Sequence, residues 1–438
     1  MTNSKGTVGI YTLGCKVNQY ESEAIAERCE QLGLTVLDHS RVCDAYIINT
    51  CTVTAEADRK ARQFIRRARK NNPAAYIIVT GCLAQVNPDS IEGIGGIHYI
   101  CGNSNKMSAS DAAARLLCGS DHDIPTEIKV ENIDKAPFEP MSITSFGRTR
   151  ACIKIQDGCE SHCTYCIIPR ARGKIRSKPR EDVLDEVRTL TQNGCREVVL
   201  TGIETACYGR DLPDTDLGDL LCAVDTIPGI GRVRLGSLDP SLFKPAFIEK
   251  IAGLKSLTPH FHLSLQSGSD SVLAGMKRKY NSAMALRAIE GLRAAIPGIQ
   301  FTADIIVGFP GETQQNFEET MRFVEQARLL SIHVFAYSKR AGSIAASMPN
   351  QVPEDIKRQR SASLIQKQSE TRKQVLQDVI SSSPDVNVLF ETYDGTYGYG
   401  HTDSFIEVKV PLSSPPPADI VPVHLCCTDG EICRGILK

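Results

Sequence analysis

The sequence predicts an α/β protein that ends in a small all-β domain. Apolar strands alternate with helical patterns up to about residue 375, a rhythm typical of parallel sheets covered by helices. From about residue 376 the chain turns into short alternating segments broken by Gly, Asp and the run SSPPP, as in a small β-barrel. Cysteine supplies the third observation, because six of the 17 cysteines follow predicted strands in two groups of three.

Residues 1–137 are predicted to form a parallel α/β domain. The apolar segments TVGIYTL, AYIINT and AYIIVTG are its strands. The helix NQYESEAIAERCEQLG, closed by Gly33, follows the first strand, and the basic helix AEADRKARQFIRRARKNNP follows the second and stops near Pro73. Such apolar strands indicate a sheet that is buried on both faces.

Residues 138–375 are predicted to form a partial (β/α)6 barrel. Six strand candidates alternate with helical patterns over 181–193, 241–253, 281–294 and 313–329; the strands are ACIKIQ, EVVLTG, RVRLGS, HFHLSLQ, FTADIIVG and IHVFAYS. Polar residues gather at the strand ends, which carry the chemistry in such folds. Residues 376–438 are predicted to form the small β domain.

Composition and charge narrow the class of protein. There is no run of about 18 apolar residues and no signal-peptide pattern, so we expect no membrane span and a cytoplasmic location. In that reducing compartment clustered cysteines indicate metal binding or catalysis rather than disulfides. Lys+Arg 50 against Asp+Glu 51 does not mark a nucleic-acid binder by total charge, although local patches can bind.

The first cysteine group lies in the run DGCESHCTYCIIPRARG, after the first barrel strand. Cys159, Cys163 and Cys166 have the spacing C-x3-C-x2-C, so three thiolates can converge on one polynuclear centre. Iron–sulfur clusters normally have four cysteine ligands, so three leave one iron open to a small chelating ligand. Zinc would need a fourth donor, and His162 stands too close to Cys163 to share its metal easily. Three reduced thiols in a surface loop are the remaining alternative.

The second cysteine group is dispersed along the first domain. Cys15, Cys51 and Cys82 each follow the carboxyl end of a predicted strand. Ligands bind at that edge of open α/β sheets, so the fold would bring these three cysteines together as a second open centre. Position alone also allows three buried core thiols.

These motifs resemble a known family. DGCESHCTYCIIPRARG resembles the signature of radical S-adenosylmethionine (SAM) enzymes, and with TLGCKVNQYESE, INTCTVTAEADRKARQ and VTGCLAQ it resembles the methylthiotransferases over essentially the whole chain. The resemblance implies a methylthiotransferase domain, a radical SAM domain and a C-terminal TRAM domain. It also implies two [4Fe–4S] clusters, a radical SAM cluster on Cys159, Cys163 and Cys166 and an auxiliary one on Cys15, Cys51 and Cys82.

Within the family, LGCKVNQYESE and IKIQDGC are most similar to the group that converts N6-threonylcarbamoyladenosine at position 37 of tRNA to its 2-methylthio form. The resemblance implies that SAM is cleaved to a carbon radical and that the auxiliary cluster presents methylated sulfur to C2 of the adenine. Alternatives are the same chemistry on isopentenyladenosine of tRNA or on an aspartate of a ribosomal protein. A different class is a non-enzymatic metal-binding RNA module that holds zinc.

Strand ends also supply candidate contacts for SAM. Ser264 and Gln266 share one strand face, and Gly308 opens a glycine-rich turn in DIIVGFPGE. Each candidate could equally be sheet-end packing or a turn. The full set of predicted SAM contacts is Gly202, Glu204, Ser237, Ser264, Gln266, Asp304 and Gly308.

Two basic segments predict an RNA-binding surface beside the cysteines. Residues 168–180 carry six basic and no acidic side chains, and residues 58–70 carry seven basic against one Asp. Such side chains give phosphate contacts, although ordinary solvated charge is the alternative. The predicted RNA contacts are Arg170, Arg172, Lys174, Arg176, Arg59, Arg62 and Arg66.

The expected partners follow from the resemblance. They are a tRNA substrate, an electron donor such as flavodoxin or ferredoxin, and a sulfur donor. Nothing in the sequence predicts an obligate dimer, so we expect a monomer. Cys207, Cys426, Cys427 and Cys433 are expected to be structural.

Overall fold

A six-stranded parallel sheet forms the N-terminal part of the chain. The computed structural model describes residues 5–119, 125–147, 149–382 and 384–438. In the sheet order β2-β1-β3-β4-β5-β6, the strands are β1 Thr7–Thr12, β2 Thr35–Leu37, β3 Ala45–Thr50, β4 Tyr76–Gly81, β5 Tyr99–Cys101 and β6 Glu127–Lys129. The helices are α1 Lys16–Gln31, α2 Ala55–Asn71, α3 Cys82–Val86, α4 Pro88–Glu92 and α5 Ser108–Cys118.

The packing of this sheet confirms the predicted parallel α/β architecture. Every residue of β3 and β4 is buried, and two separate apolar clusters cover the sheet. The three predicted strands are β1, β3 and β4. The strands β2, β5 and β6 have only three residues each, too few for a pattern to show.

The central part is a curved sheet of six parallel strand positions. Its strands are β7 Ala151–Asp157, β8 Arg176–Ser177, β9 Glu197–Gly202, β10 Arg232–Leu235, β11 Ser237–Leu238, β12 His260–Gln266, β13 Gln300–Val307 and β14 Ser331–Ala336. β10 pairs with β9 and β11 pairs with β12, so this one stretch, interrupted at Gly236, joins two four-stranded sheets. The short β8 runs antiparallel to β7 at the edge. The predicted partial (β/α)6 barrel is therefore confirmed.

Helices alternate with these strands along the chain. They are α6 Ile168–Arg172, α7 Arg180–Gln192, α8 Leu217–Asp225, α9 Pro245–Ala252, α10 Asp270–Gly275, α11 Ser282–Ala295, α12 Gln314–Ala327 and α13 Glu354–Ser381. The helix α13 runs through the predicted domain boundary at 375/376. Val375 and Leu376 pack in the apolar core of the C-terminal domain, so the helix joins the two parts rather than ending between them.

The C-terminal residues form a closed five-stranded barrel. Its strands, in the order β15-β16-β17-β19-β18, are β15 Asp385–Tyr393, β16 Tyr397–Thr402, β17 Glu407–Pro411, β18 Ile420–Thr428 and β19 Cys433–Leu437. Closure leaves the barrel without a free sheet edge. The predicted all-β domain is confirmed. In the described part of the chain, no helix combines the length and apolarity that a membrane crossing requires.

Candidate active site at the open end of the partial barrel

The loop that follows β7 places the first cysteine group at one cavity. Gly158 begins the loop with φ +76°, and a Cβ there would lie 1.8 Å from the carbonyl oxygen of Lys174. Only glycine allows this close approach. The Cys159 N–H then donates to the Gly173 carbonyl at 2.9 Å, which fixes the start of the loop. Cys159, Cys163 and Cys166 all line a cavity of about 320 Å³.

Contacts from the far side of the barrel hold the middle of this loop. The Thr164 N–H donates to the Met276 carbonyl at 3.1 Å, and its hydroxyl donates to the Gly275 carbonyl at 2.8 Å. The Ala345 N–H in turn donates to the Thr164 carbonyl at 2.7 Å. The loop is therefore clamped between distant segments, and its thiols are pre-positioned for a shared ligand.

The environment of Cys159 and Cys166 favours their neutral form until a metal binds. Burial raises the pKa of Cys166 to about 12. Burial and the neighbouring Glu204 carboxylate raise the pKa of Cys159 above its ordinary value. Metal coordination deprotonates a thiol outright, so these groups become thiolates only as ligands.

Five of the predicted SAM contacts lie in the wall of the same cavity. They are Glu204, Ser237, Ser264, Gln266 and Asp304. Gln266 ends β12 with a positive φ of 62°, next to a register shift in the β12–β13 pairing. A non-glycine residue in this conformation is a feature of functional sites.

Gly202 and Gly308 do not line this cavity, and their contact with SAM stays a prediction. A Cβ on Gly202 would lie 2.7 Å from Oε1 of Gln156, so the glycine allows close packing of the sheet end. The Gly308 N–H donates to Oε1 of Glu312 at 2.9 Å and is therefore already satisfied. Both glycines have structural roles.

Glu204 lies in the cavity wall but already has partners. Its carboxylate accepts hydrogen bonds from the Cys159 thiol at 2.8 Å and from the Ser161 hydroxyl at 3.0 Å. Its backbone N–H donates to Oε1 of Gln156 at 2.8 Å. Glu204 therefore positions a cysteine of the loop, a role that the sequence did not predict.

Asp304 projects between two imidazoles. Its Oδ1 lies 3.1 Å from Nε2 of His262 and 3.2 Å from Nδ1 of His333. Hydrogen bonds from the two imidazoles hold the pKa of Asp304 below its ordinary value, although burial opposes them. The hydrogen bond to Asp304 raises the pKa of His333. Asp304 therefore presents a carboxylate to the cavity at neutral pH.

The sequence-based prediction missed Arg278, a cation in the cavity wall. Its Nη1 lies 3.4 Å from Sγ of Cys163, and its Nη2 donates to Asp239 at 2.6 Å and to the Ser264 carbonyl at 3.0 Å. The side chain is 9% exposed. Its only sequence signal is a basic run, KRK, in a loop far from the cysteines.

The second cysteine group meets at the carboxyl edge of the N-terminal sheet. Cys15 caps α1 after β1, Cys51 follows β3, and Cys82 begins α3 directly after β4. A Cβ on Gly14 would lie 2.9 Å from Sγ of Cys51, which brings the Cys15 loop against Cys51. Burial and a charged Cys82 raise the pKa of Cys51 to about 12, and the same two causes act on Cys15. The three thiols are neighbours, as the strand-end positions predict.

Close packing around β3 and β4 holds this edge in place. Gly81 precedes Cys82 with φ +99°, and a Cβ there would lie 2.4 Å from the Thr50 carbonyl oxygen. The Thr50 hydroxyl accepts from the Leu83 N–H at 3.1 Å and so caps the start of α3. Asn18 on α1 donates to the carbonyls of Leu13 at 2.6 Å and Thr50 at 3.0 Å.

The segment after Cys51 reaches the cavity of the other cysteine group, although Cys15, Cys51 and Cys82 themselves do not line it. Val53 and Thr54, which follow Cys51, line the cavity of the C-x3-C-x2-C loop. Arg340, from the chain after β14, donates to Thr52 at 2.7 Å and to Asp58 at 2.6 Å. The loop of one cysteine group therefore forms part of the wall beside the other.

The predicted RNA contacts separate into exposed and buried side chains. Arg170 and Lys174 are exposed, as are Arg59 and Arg66, and Arg62 is half-buried. Arg172 and Arg176 are buried, so the prediction that they contact RNA is wrong. Their guanidinium groups pair with interior carboxylates and lie out of reach of a phosphate on the surface.

Two family models match the chain. The Radical SAM superfamily matches residues 153–324, and the Uncharacterized protein family UPF0004 matches residues 7–102. The first contains the C-x3-C-x2-C loop and most of the partial barrel. The second contains Cys15, Cys51 and Cys82.

Full-length relatives and solved structures extend these matches. The threonylcarbamoyladenosine tRNA methylthiotransferase MtaB of Bacillus subtilis is 39% identical over 92% of this chain and 90% of its own length. The tRNA-2-methylthio-N(6)-dimethylallyladenosine synthase of Carboxydothermus hydrogenoformans is 35% identical over 82% of each chain. The radical SAM methyltransferase TsrM of Kitasatospora setae has the same fold, with a TM-score of 0.57, 16% identity and coverage of 78% of this chain and 77% of that one.

A partial barrel with a three-cysteine loop at its cavity, in a chain that matches the Radical SAM superfamily, defines a radical SAM enzyme. With relatives this similar over nearly its whole length, the chain belongs to the methylthiotransferase family. Radical SAM enzymes use SAM and a [4Fe–4S] cluster.

Proposed function

We propose that the protein inserts a methylthio group at C2 of N6-threonylcarbamoyladenosine 37 in tRNA. The observation that supports this most directly is the cavity wall, which the C-x3-C-x2-C loop and the segment after Cys51 form together. An enzyme that both generates a radical and delivers sulfur needs two centres open to one substrate. The similarity to threonylcarbamoyladenosine tRNA methylthiotransferases indicates the substrate.

Cys159, Cys163 and Cys166 fit the radical SAM [4Fe–4S] cluster. They are the only cysteines in the described cavity wall, so a cluster there would keep one iron free for SAM. When bound, the cluster and SAM supply the radical that attacks an unactivated aromatic carbon. The Arg278 guanidinium lies against Cys163, where it can also donate to a thiolate ligand, whereas the hydrogen bond from Cys159 to Glu204 exists only while Cys159 is a neutral thiol.

The remaining cavity wall suits SAM and an adenine. Ser237, Ser264, Gln266 and Asp304 offer polar atoms for the amino, carboxylate and ribose groups of SAM. Ile306, Phe335 and Tyr337 supply an apolar surface that excludes water. These residues bind and orient the reactants, and the cofactor carries the chemistry.

Cys15, Cys51 and Cys82 are our candidates for the auxiliary [4Fe–4S] cluster. The support is their shared sheet edge, where burial raises the pKa of Cys15 and Cys51. A metal centre would deprotonate these thiols on binding. The reaction also needs an electron and a sulfur atom. We infer a flavodoxin or ferredoxin and a separate sulfur donor as partners, acting in the cytoplasm on tRNA.

The tRNA would contact α2 and the loop near α6. Arg59, Arg62 and Arg66 lie on the helix that follows Cys51, and Arg170 and Lys174 follow the other cysteine loop. Phosphate contacts from these side chains would place the anticodon arm at the cavity without reading its sequence. The C-terminal barrel would add a further RNA contact.

Mass spectrometry of tRNA nucleosides from cells with and without the gene tests the substrate. We expect 2-methylthio-N6-threonylcarbamoyladenosine to disappear and its unthiolated precursor to accumulate. Loss of the dimethylallyl (isopentenyl) product instead would assign the substrate of the second relative. Unchanged methylthio nucleosides of both kinds would contradict a tRNA substrate altogether.

A further inference from the structure

A group of charged side chains lies between the two cysteine groups and is almost inaccessible to solvent. We call it the buried charge network, and its side chains are 0% to 8% exposed. Its members are Glu21, Lys106, Lys154, Asp157, Arg172 and Arg176.

Two carboxylates hold the network together. Glu21 accepts from Arg172 at 2.5 Å, from Lys154 at 2.9 Å and from Lys106. Asp157 lies 3.1 Å from Nη1 of Arg172 and 3.3 Å from Nζ of Lys154, with Nη2 of Arg176 at 3.7 Å. Glu21 belongs to the N-terminal domain and Asp157 to the partial barrel, so the network crosses the domain interface.

The charges in this network do not balance. Four cations face two carboxylates, which leaves an excess of two positive charges in the interior. A third carboxylate, Glu139, accepts the backbone N–H groups of Lys106 and Met107 at the edge. Burial raises the pKa of Glu139, although its backbone hydrogen bonds and Lys154 oppose the shift. Even with Glu139 counted as an anion, four cations face three carboxylates, and an anion beside the network would compensate the remaining buried charge.

Arg172 connects this positive charge to the second cysteine group. Its Nε donates to Sγ of Cys82 at 3.4 Å, and its Nη2 donates to Oδ1 of Asn18. Asn18 is three residues beyond Cys15, and Arg172 is six residues beyond Cys166. One fully buried guanidinium therefore lies against Cys82, a candidate ligand of one centre, and follows Cys166, a candidate ligand of the other, by six residues.

We propose that Arg172 positions the auxiliary iron–sulfur centre and raises its reduction potential, with the buried charge network as its counter-charge. The inference rests on the second cluster proposed above. A cluster bound by thiolates is anionic and gains one more negative charge on reduction. A nearby fixed cation that donates to a ligand sulfur therefore stabilises the reduced form most.

The test isolates the auxiliary centre and measures its potential. In a background of Cys159→Ala, Cys163→Ala and Cys166→Ala, the full chain is reconstituted anaerobically with iron and sulfide and titrated by EPR. Arg172→Met should lower the midpoint potential by at least the 59 mV that corresponds to a tenfold change in a one-electron equilibrium. Arg172→Lys keeps the charge but loses the guanidinium geometry, so its shift should be smaller.

Two further variants make the test specific. Arg360→Met removes another buried arginine, which pairs with Glu312 at 2.6 Å and donates to none of the six cysteines, so its potential should equal that of the background. Glu21→Gln removes a negative charge from the network and should shift the potential upward. Opposite shifts from Arg172→Met and Glu21→Gln are not expected from a merely structural disturbance.

Each outcome decides a different claim. Equal potentials in Arg172→Met, Arg172→Lys and Arg360→Met, at equal iron content, would overturn the role of Arg172 and leave the second cluster standing. A triple-cysteine background that binds no iron would overturn the second cluster itself, and this inference with it. If Arg172→Met does not fold, the signs of the shifts in Arg172→Lys and Glu21→Gln decide.

Discussion

The ion pair between Arg340 and Asp58 should couple SAM cleavage to sulfur insertion. Both side chains are 13% exposed, and the same guanidinium donates to Thr52, next to Cys51. Arg340→Met removes both hydrogen bonds and leaves the Asp58 carboxylate without its cation. The other oxygen of that carboxylate, Oδ1, already lacks a partner.

The size of the effect follows from the burial of the pair. Removing one partner of a buried pair costs about 3 to 5 kcal/mol, and the residual exposure here favours about 3 kcal/mol. That corresponds to roughly a hundredfold change in the equilibrium that holds the segment after Cys51, with Val53 and Thr54, in the cavity wall. The loop around Cys159 is held by its own hydrogen bonds, so SAM cleavage should continue. Sulfur insertion should fail, because the proposed auxiliary centre no longer lies beside the cavity.

The assay measures 5′-deoxyadenosine and methylthiolated product from the same reaction. Arg340→Met should raise the ratio of 5′-deoxyadenosine to product by at least tenfold. Arg188→Met is the control, because it breaks an exposed pair with Asp185 on α7 and should leave the ratio unchanged. Equal ratios in Arg340→Met and Arg188→Met would refute coupling through the segment after Cys51.

Three more predictions concern the cysteines, the RNA surface and Glu197, a buried carboxylate outside the site. Cys163→Ala should abolish 5′-deoxyadenosine formation. Cys51→Ala should still form 5′-deoxyadenosine but no methylthiolated product. Methylthiolated product from Cys51→Ala would contradict the assignment of two centres. Arg66→Ala should reduce the magnitude of the slope of log affinity for tRNA against log salt concentration by about one, the value for one phosphate contact. Lys255→Ala, at an exposed lysine elsewhere in the chain, should leave this slope unchanged. Equal slopes in the two variants would contradict a contact between α2 and RNA. Although burial opposes it, Arg234 and Arg150 lower the pKa of Glu197 to about 2. Glu197 should therefore contribute about 3 kcal/mol to the free energy of unfolding at neutral pH, and this contribution should be lost as pH falls from about 5 to about 2. The free energy of unfolding by urea, measured on iron-free protein, should therefore depend less on pH in Glu197→Gln than in the unchanged chain. Parallel plots of this free energy against pH for the two proteins would contradict the prediction.

Local patterns predicted much of the fold and both cysteine groups. The strands that carry the sheets are apolar runs bounded by polar turns, so periodicity and length identified them. Cys159, Cys163 and Cys166 lie on one loop, where spacing alone indicates a shared ligand. Cys15, Cys51 and Cys82 are far apart in sequence, but a parallel sheet gathers its strand ends at one edge.

Features that depend on distant charges could not be predicted in this way. Arg172 and Arg176 lie in a basic stretch that looks solvated, yet they are buried because Glu21 and Asp157 supply counter-charges from other segments. Arg278 reaches Cys163 only through the fold. Such pairings leave no periodic signal along the chain.

The helix α13 was missed for a related reason. Lys357, Arg360, Gln368 and Thr371 occupy its buried face, so the apolar periodicity of an amphipathic helix is absent. Their polar groups find partners across the interface, as Gln368 does on the carbonyls of Leu329 and Leu330. The domain boundary predicted at 375/376 therefore fell inside a continuous helix.

Iron and sulfide content of three reconstituted proteins tests the central claim of two three-cysteine centres most directly. The unchanged chain should bind about eight iron atoms, as two four-iron clusters require. Replacing Cys15, Cys51 and Cys82 by alanine should leave about four, and so should replacing Cys159, Cys163 and Cys166. Four iron atoms in the unchanged chain, or zinc without sulfide, would contradict the account.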